Sequence, residues 1–178
     1  MLFPGRRWLA ALAAGGAMLA ACSPTLNWRE VRPEGAEVQA LFPCKPSGPT
    51  RRVPLGAASV DMTVLACDAS DMTFALTIAD VHDPAQVGVA LDALVAAAAA
   101  NLRASTAPQA QPLQVPGATP HAGARRLRIE GRRPDGGRIE AHVALFTRGT
   151  RVYQATVLGP WPVQEAVDTF QGGLRAGG

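Results

Sequence analysis

The chain has 178 residues; 48% are hydrophobic, 17 are Lys or Arg, and 14 are Asp or Glu. That length suits one domain, at roughly 100–200 residues per domain, and the apolar share excludes wholesale disorder. The formal charge of +3 falls to +1 if residues 1–21 are removed, because Arg6 and Arg7 leave and no acid does. So weak a basic balance excludes a dedicated nucleic-acid binder. Three cysteines and three scattered histidines exclude a disulfide knot and argue against a multi-ligand metal site or bound metal cofactor.

At the N-terminus, Arg6-Arg7 precede an uncharged apolar run from Trp8 to Ala21. Its 14 residues fall short of the about 20 needed to cross a bilayer but suit the hydrophobic region of a secretion signal. The run ends Leu19-Ala20-Ala21-Cys22, which resembles the lipobox of bacterial lipoproteins. The resemblance implies a signal peptide over 1–21 and a diacylglycerol carried by the Cys22 thiol. Two or more acyl chains give stable anchoring, each buried methylene contributing about 0.8 kcal/mol. Ser23, rather than Asp, after the cysteine implies sorting to the outer membrane, with the protein lipid-anchored on the periplasmic face of the envelope. An ordinary Ala-x-Ala cleavage site is the alternative. The twin arginine invites Tat export, but its flanks match that signal poorly and general secretion fits better. Residues 22–35 then read as a tether, with Pro33 and Gly35 as breakers and Trp28 either docked or marking a mobile stretch.

With Cys22 acylated, Cys44 and Cys67 remain in an oxidising compartment, where disulfides form and persist. Each sits at the end of an expected strand, over 36–42 and 59–67, so a bridge is sterically reasonable. Two free thiols are the plainer alternative, and the spacing lacks the Cys-x-x-Cys of a redox pair.

Downstream, Val60, Met62, Val64 and Ala66 alternate with Asp61, Thr63 and Leu65, and Met72, Phe74, Leu76 and Ile78 share one face of the next run. The two predict an antiparallel hairpin. Asp83-Pro84 predicts a helix start, and Val87, Leu91, Leu94, Val95, Ala98 and Leu102 form its apolar stripe. The helix is read as packing on a sheet rather than crossing a membrane. Residues 105–121 contain four prolines and predict a loop, enclosing a brief strand at Leu113–Val115. Three further strands are expected over 122–132, 138–147 and 150–158, the first pair joined at Arg133-Pro134-Asp135-Gly136-Gly137. A closing helix over 162–174 presents Val163, Ala166, Val167, Phe170 and Leu174 on one face. The order strands, helix, strands, helix argues for a single α+β domain over 36–176, an antiparallel sheet with two helices packed on it.

This order, with Phe42-Pro43-Cys44-Lys45-Pro46 after an early strand and Phe170…Leu174-Arg175 in the last helix, resembles the PsbP-like α/β sandwich proteins, and above all proteobacterial lipoproteins of that kind. The resemblance implies a binding or assembly role. Cys44 stands where that pattern expects a small residue such as glycine, and no functional residues carry over.

No Gly-x-Ser-x-Gly elbow, phosphate loop or His-Glu-x-x-His motif occurs, so no catalytic residue is assigned and no cofactor is expected. His82 reads as a surface or capping residue and His121 as solvated, while Asp80, His82 and Asp83 match a cation site no better than chance. His142 sits on the polar side of its strand, near Arg126 or Arg128. The remaining signal is arginine: Arg125, Arg126, Arg128, Arg132, Arg133 and Arg138 crowd one hairpin, with Glu130 and Glu140 between them. Such a run is either a solvated face with cross-strand ion pairs or a contact patch for an anionic lipid or an acidic envelope protein. The expected function is that of an envelope-anchored, non-enzymatic binding or assembly module. The alternative is a carrier holding a small molecule or lipid between sheet and helix. Replacing Cys22 with Ala is expected to move the protein from the membrane fraction to the soluble one; unchanged partitioning would overturn the acylation.

Overall fold

Strand alternation and two apolar helix stripes account for most of the architecture. The computed structural model describes residues 26–56, 58–104 and 106–177; Cys22 and the signal peptide expected over 1–21 lie outside them. The described chain is α+β, with antiparallel strands predominating. In order, β1 is Arg29–Val31, β2 Val38–Phe42, β3 Thr50–Leu55, β4 Ala58–Ala69 and β5 Met72–Asp80. After α1 (Val87–Asn101) come β6 (Gln109–Pro112), β7 (Arg125–Arg132), β8 (Arg138–Arg148) and β9 (Arg151–Gly159), then α2 (Gln164–Gly172) and β10 (Arg175–Ala176).

Seven strands form one antiparallel sheet in the order β3-β4-β5-β9-β8-β7-β6. Its centre is the pairing of β5 with β9, which sets Phe74 opposite Val157 and Leu76 opposite Ala155. All four are fully buried, because both faces of the sheet are covered. On one face, α1 lays Val87, Ala90, Leu91 and Leu94 over Leu127, Ile129, Val143, Leu145 and Val152. Asp83 caps the entry: its Oδ1 accepts from the Ala85 amide at 2.9 Å, the role Asx residues play at helix starts. The first turn, Pro84–Gln86, is 3₁₀ rather than α. The run Pro84–Asn101 is long and apolar enough to pass for a membrane span, yet its stripe is part of this core.

On the opposite face lie α2 and a small sheet of order β1-β2-β10. Phe170 of α2 meets Phe42 and Phe74 edge-on, with ring centroids 5.1 and 5.4 Å apart, and Phe146 stacks on Tyr153 at 4.8 Å. Aromatic pairs of this kind add about 0.5–1.5 kcal/mol beyond the area they bury. The Tyr153 hydroxyl donates to the Ala36 carbonyl at 2.8 Å, and burial pushes its pKa up to about 12.

The details depart from the sequence pattern in five places, one of them the closing helix, which ends at Gly172 so that Arg175 lies in β10 rather than in the last helix. The described part of the stretch read as a tether is docked: Arg29 pairs with Phe42 and Val31 with Ala40, and Trp28 meets Phe74 edge-on at 5.8 Å. No strand forms at Leu113–Val115; both side chains plug the core, while the exposed Gln109–Pro112 pairs with β7 instead. The strand expected from residue 122 starts at Arg125, after a turn closed by the Ala124 amide on the His121 carbonyl. The strand expected from residue 36 starts at Val38, after Glu37 adopts a φ of 48°.

Cys44 and Cys67 are disulfide-bonded, with Cα atoms 6.0 Å apart, inside the usual range. The bridge joins the segment after β2 to β4, and so ties the small sheet to the large one. Beside it, Ser47 and Ala66 exchange two backbone hydrogen bonds of 3.0 Å. Closing a loop of sequence separation 23 stabilises by about 3 kcal/mol on the chain-entropy account. Replacing both cysteines with Ala is therefore expected to lower the melting temperature by roughly 10 °C; a melt unchanged by the double substitution or by reductant would contradict this.

Candidate functional site

The alternation of β7 sends Leu127 and Ile129 into the core under α1 and turns Arg126, Arg128 and Glu130 toward the α2 face. The register of β7 with β8 places His142 opposite Arg128 and Glu140 opposite Glu130, on that same face. Because α2 stops short of this edge, a polar cleft opens between the helix and β6, β7 and β8. It has two adjoining hollows that share Arg128, His142 and Gln164. The inner one, about 260 Å³, adds Gln109, Gln111, Arg126, Asp168 and Gln171. The outer one, about 320 Å³, reaches Arg138, Glu140 and Trp161.

Glu140 organises the outer half. Its side chain is 7% exposed and receives Arg128 through two hydrogen bonds of 2.8 and 3.0 Å. His142 Nε2 lies 2.7 Å from the same carboxylate, and Arg138 also donates to it. Burial alone would raise the Glu140 pKa. The hydrogen bonds from Arg128 and His142, and their charges, outweigh burial and hold it below the ordinary 4.5. The same bonds raise the Arg128 pKa. A carboxylate engaged by three donors is a poor proton donor, so Glu140 positions the two arginines. Arg138 in turn sits over the Trp161 indole, 4.0 Å from the ring centroid, a cation–π contact.

The six arginines read as a candidate patch do not act as one field. Arg125 points to the α1 side, where it pairs with Asp92 at 2.7 Å. Arg128 and Arg138 share Glu130 and Glu140. Arg132 donates to the Gly136 carbonyl of its own turn, and Arg133 is exposed beside it. Arg126 is exposed in the cleft and forms no ion pair or side-chain hydrogen bond among the described residues. His142 faces the arginines, as alternation implied.

The other candidates lie apart. His82 is exposed, with Nδ1 3.4 Å from Asp80, and His121 Nδ1 accepts from the Gly123 amide in its loop. Among the described residues no three His, Cys, Asp or Glu side chains are grouped to hold a metal ion. The glutamines, Asp168 and Trp161 escaped the sequence reading. Gln171 alone carried a signal: four residues after Val167, it is a polar group on the apolar stripe of α2. Comparison with protein-family models finds no match, and comparison with curated proteins finds no significant relative.

A carboxylate whose folded pKa lies below its unfolded value stabilises the fold above the unfolded value and loses that contribution as pH falls through the folded one. Asp80 has the same sign: burial opposes its ionisation, and hydrogen bonds from the Thr150 hydroxyl and His82 amide, with the charges of His82 and Arg151, prevail. Stability is therefore expected to hold near neutrality and to decline as pH drops below about 4.5, the ordinary value. Glu140→Gln should lower stability at pH 7 by about 1–2 kcal/mol, since charged hydrogen bonds contribute about 1.5–3 and the half-exposed Arg128 screens part of this. It should also flatten the acid decline without removing it, because Asp80 remains. Urea titrations at a series of pH values measure both effects.

Proposed function

We propose that this chain is a non-enzymatic binding module held at the periplasmic face of the cell envelope, in the outer membrane, by acyl groups on Cys22. Its recognition surface is the cleft between α2 and β6–β8. The observation that carries this reading is Arg126: a guanidinium in a concave site, unpaired while its neighbours Arg125, Arg128 and Arg138 are neutralised. Such a group keeps its donors for something outside the chain, and a guanidinium fork suits carboxylate or phosphate. The absence of a catalytic motif in the sequence and the engaged state of Glu140 favour binding over proton transfer. The PsbP-like reading belongs here as well; it is supported by an antiparallel sheet covered by a helix on each face.

A carrier holding its ligand between sheet and helix is the alternative. The apolar space that could serve a carrier lies elsewhere, in an open groove of about 580 Å³ under the proline-rich loop, lined by Leu113, Val115, Ala118 and Phe146 among others and by no residue of α1 or α2. Its size falls in the usual range for ligand pockets. The two readings separate by position. A photo-crosslinking residue at Gln164, in the cleft, should yield adducts in intact envelopes that Arg126→Glu abolishes; one at Arg51, on the far edge strand, should not. Adducts from Arg51 alone would refute the cleft as the recognition surface, and adducts from a crosslinker at Gln114 that Arg126→Glu leaves untouched would favour the groove.

A further inference from the structure

The inner hollow holds polar groups that nothing in the protein satisfies. Gln171 is 6% exposed and lines the hollow, yet its carboxamide has no hydrogen-bond partner among the described residues; the side-chain bonds on α2 run from Gln164 to Asp168 and from Thr169 to the Glu165 carbonyl. Among the described residues only Gln154 Oε1 is a side-chain polar atom buried without a partner, so the Gln171 carboxamide is reached by solvent through the hollow and its donors and acceptor stay available to a ligand. Arg126 faces the same hollow with its five donors free. Gln109 and Gln111 add two more carboxamides from the edge strand.

The charge count narrows what fits. One guanidinium is uncompensated, and Asp168 lines the same space, so a single negative charge is welcome and a second is repelled. A phosphate dianion fits that balance badly. The apolar lining is limited to Leu127 and Val167, too little for an acyl chain or a large apolar side chain. The rest is planar amides, which both donate and accept and suit a ligand rich in hydroxyls. A volume of about 260 Å³ equals roughly nine waters at about 30 Å³ each, the scale of one sugar ring. The outer hollow adds Trp161, 72% exposed. Arg138 covers one face of its ring, which leaves the other free to stack on the C–H face of a second ring.

Resting on the cleft being the recognition surface, we infer that it binds a carboxylated sugar of the uronate class. The carboxylate lies on Arg126, hydroxyls lie on Gln171, Gln164 and Asp168, and an adjoining residue of the glycan stacks on Trp161. Nothing is transferred or cleaved; the ligand is held.

The test is calorimetric titration of the full-length protein in detergent with a galacturonate disaccharide and the galacturonate monosaccharide, the neutral galactose disaccharide, inorganic phosphate and a Glu-containing dipeptide. The uronate should saturate, and the neutral sugar should bind at least about tenfold more weakly, the loss of one charged contact. Arg126→Gln should erase that preference. Gln171→Leu, which keeps the volume of the site, should weaken both sugars. Trp161→Ala, at an exposed position, should weaken the disaccharide and leave the monosaccharide unchanged. Tighter binding of phosphate or of the acidic dipeptide would overturn the sugar assignment, as would uronate binding indifferent to Arg126→Gln. Failure of every sugar to bind while Gln164 crosslinks persist and still require Arg126 would remove the ligand class and leave the cleft standing. Loss of the crosslinks as well would remove both.

Discussion

Pairing of β5 with β9 joins two halves of the chain that would otherwise be separate hairpin groups, β3-β4-β5 before α1 and β6 to β9 after it. The eight register pairs from Thr73–Leu158 to Asp80–Arg151 place Phe74, Leu76, Ala155 and Val157 where no water reaches them. Because both its faces are covered, β5 alternates large apolar residues with small or hydroxylic ones, Thr73, Ala75 and Thr77, rather than with charges. Small residues serve the same end: Ala79, Ala141, Ala144 and Ala155 are nearly fully buried and let the helices approach. The two cores on either side of the sheet both depend on this central ladder.

The cleft follows from an imbalance between the layers. A seven-stranded sheet is about 29 Å across at about 4.8 Å per strand, whereas α2, with nine residues, extends only about 14 Å. The small sheet covers part of the remainder, but the edge formed by β6, β7 and β8 stays open. Polar residues can occupy β7 and β8 there because most of them keep contact with solvent, and Glu140, the buried one, offsets its desolvation with the bonds from Arg128, Arg138 and His142. The Glu140 cluster converts what would be mutual repulsion between Arg128 and Arg138 into a braced wall. Arg126, one register step further along β7, is beyond the reach of that carboxylate and remains uncompensated.

Most of the large sheet and both helices were legible because their pattern is local. The alternation in Met72–Ile78 and the Asp83-Pro84 start each record a single element's own environment, and the disulfide followed from compartment and strand ends once Cys22 was set aside. What escaped notice is short or non-local. Arg29-Glu30-Val31 and Arg175-Ala176 are too brief to show a period, and β6 has all four residues exposed, so hydrophobicity carries no trace of it. The cleft was half legible. Alternation put Arg126, Arg128 and His142 on one face, but nothing in a single strand says that Asp92 will draw Arg125 to the other side or that α2 will bring Gln164 and Gln171 across. Those are facts of packing, not of pattern.

Both ends of the described chain meet in the small sheet, where β2 is flanked by β1 on one edge and β10 on the other. The Ala176 amide donates to the Pro116 carbonyl and the Gly177 amide to the Glu37 carbonyl, each at 2.8 Å. A ribosome releases a polypeptide in order, so this clasp has no second half until Arg175–Gly177 have emerged. The native topology thus stays unattainable while only the preceding residues are out, and the small sheet closes after the large one can already have formed.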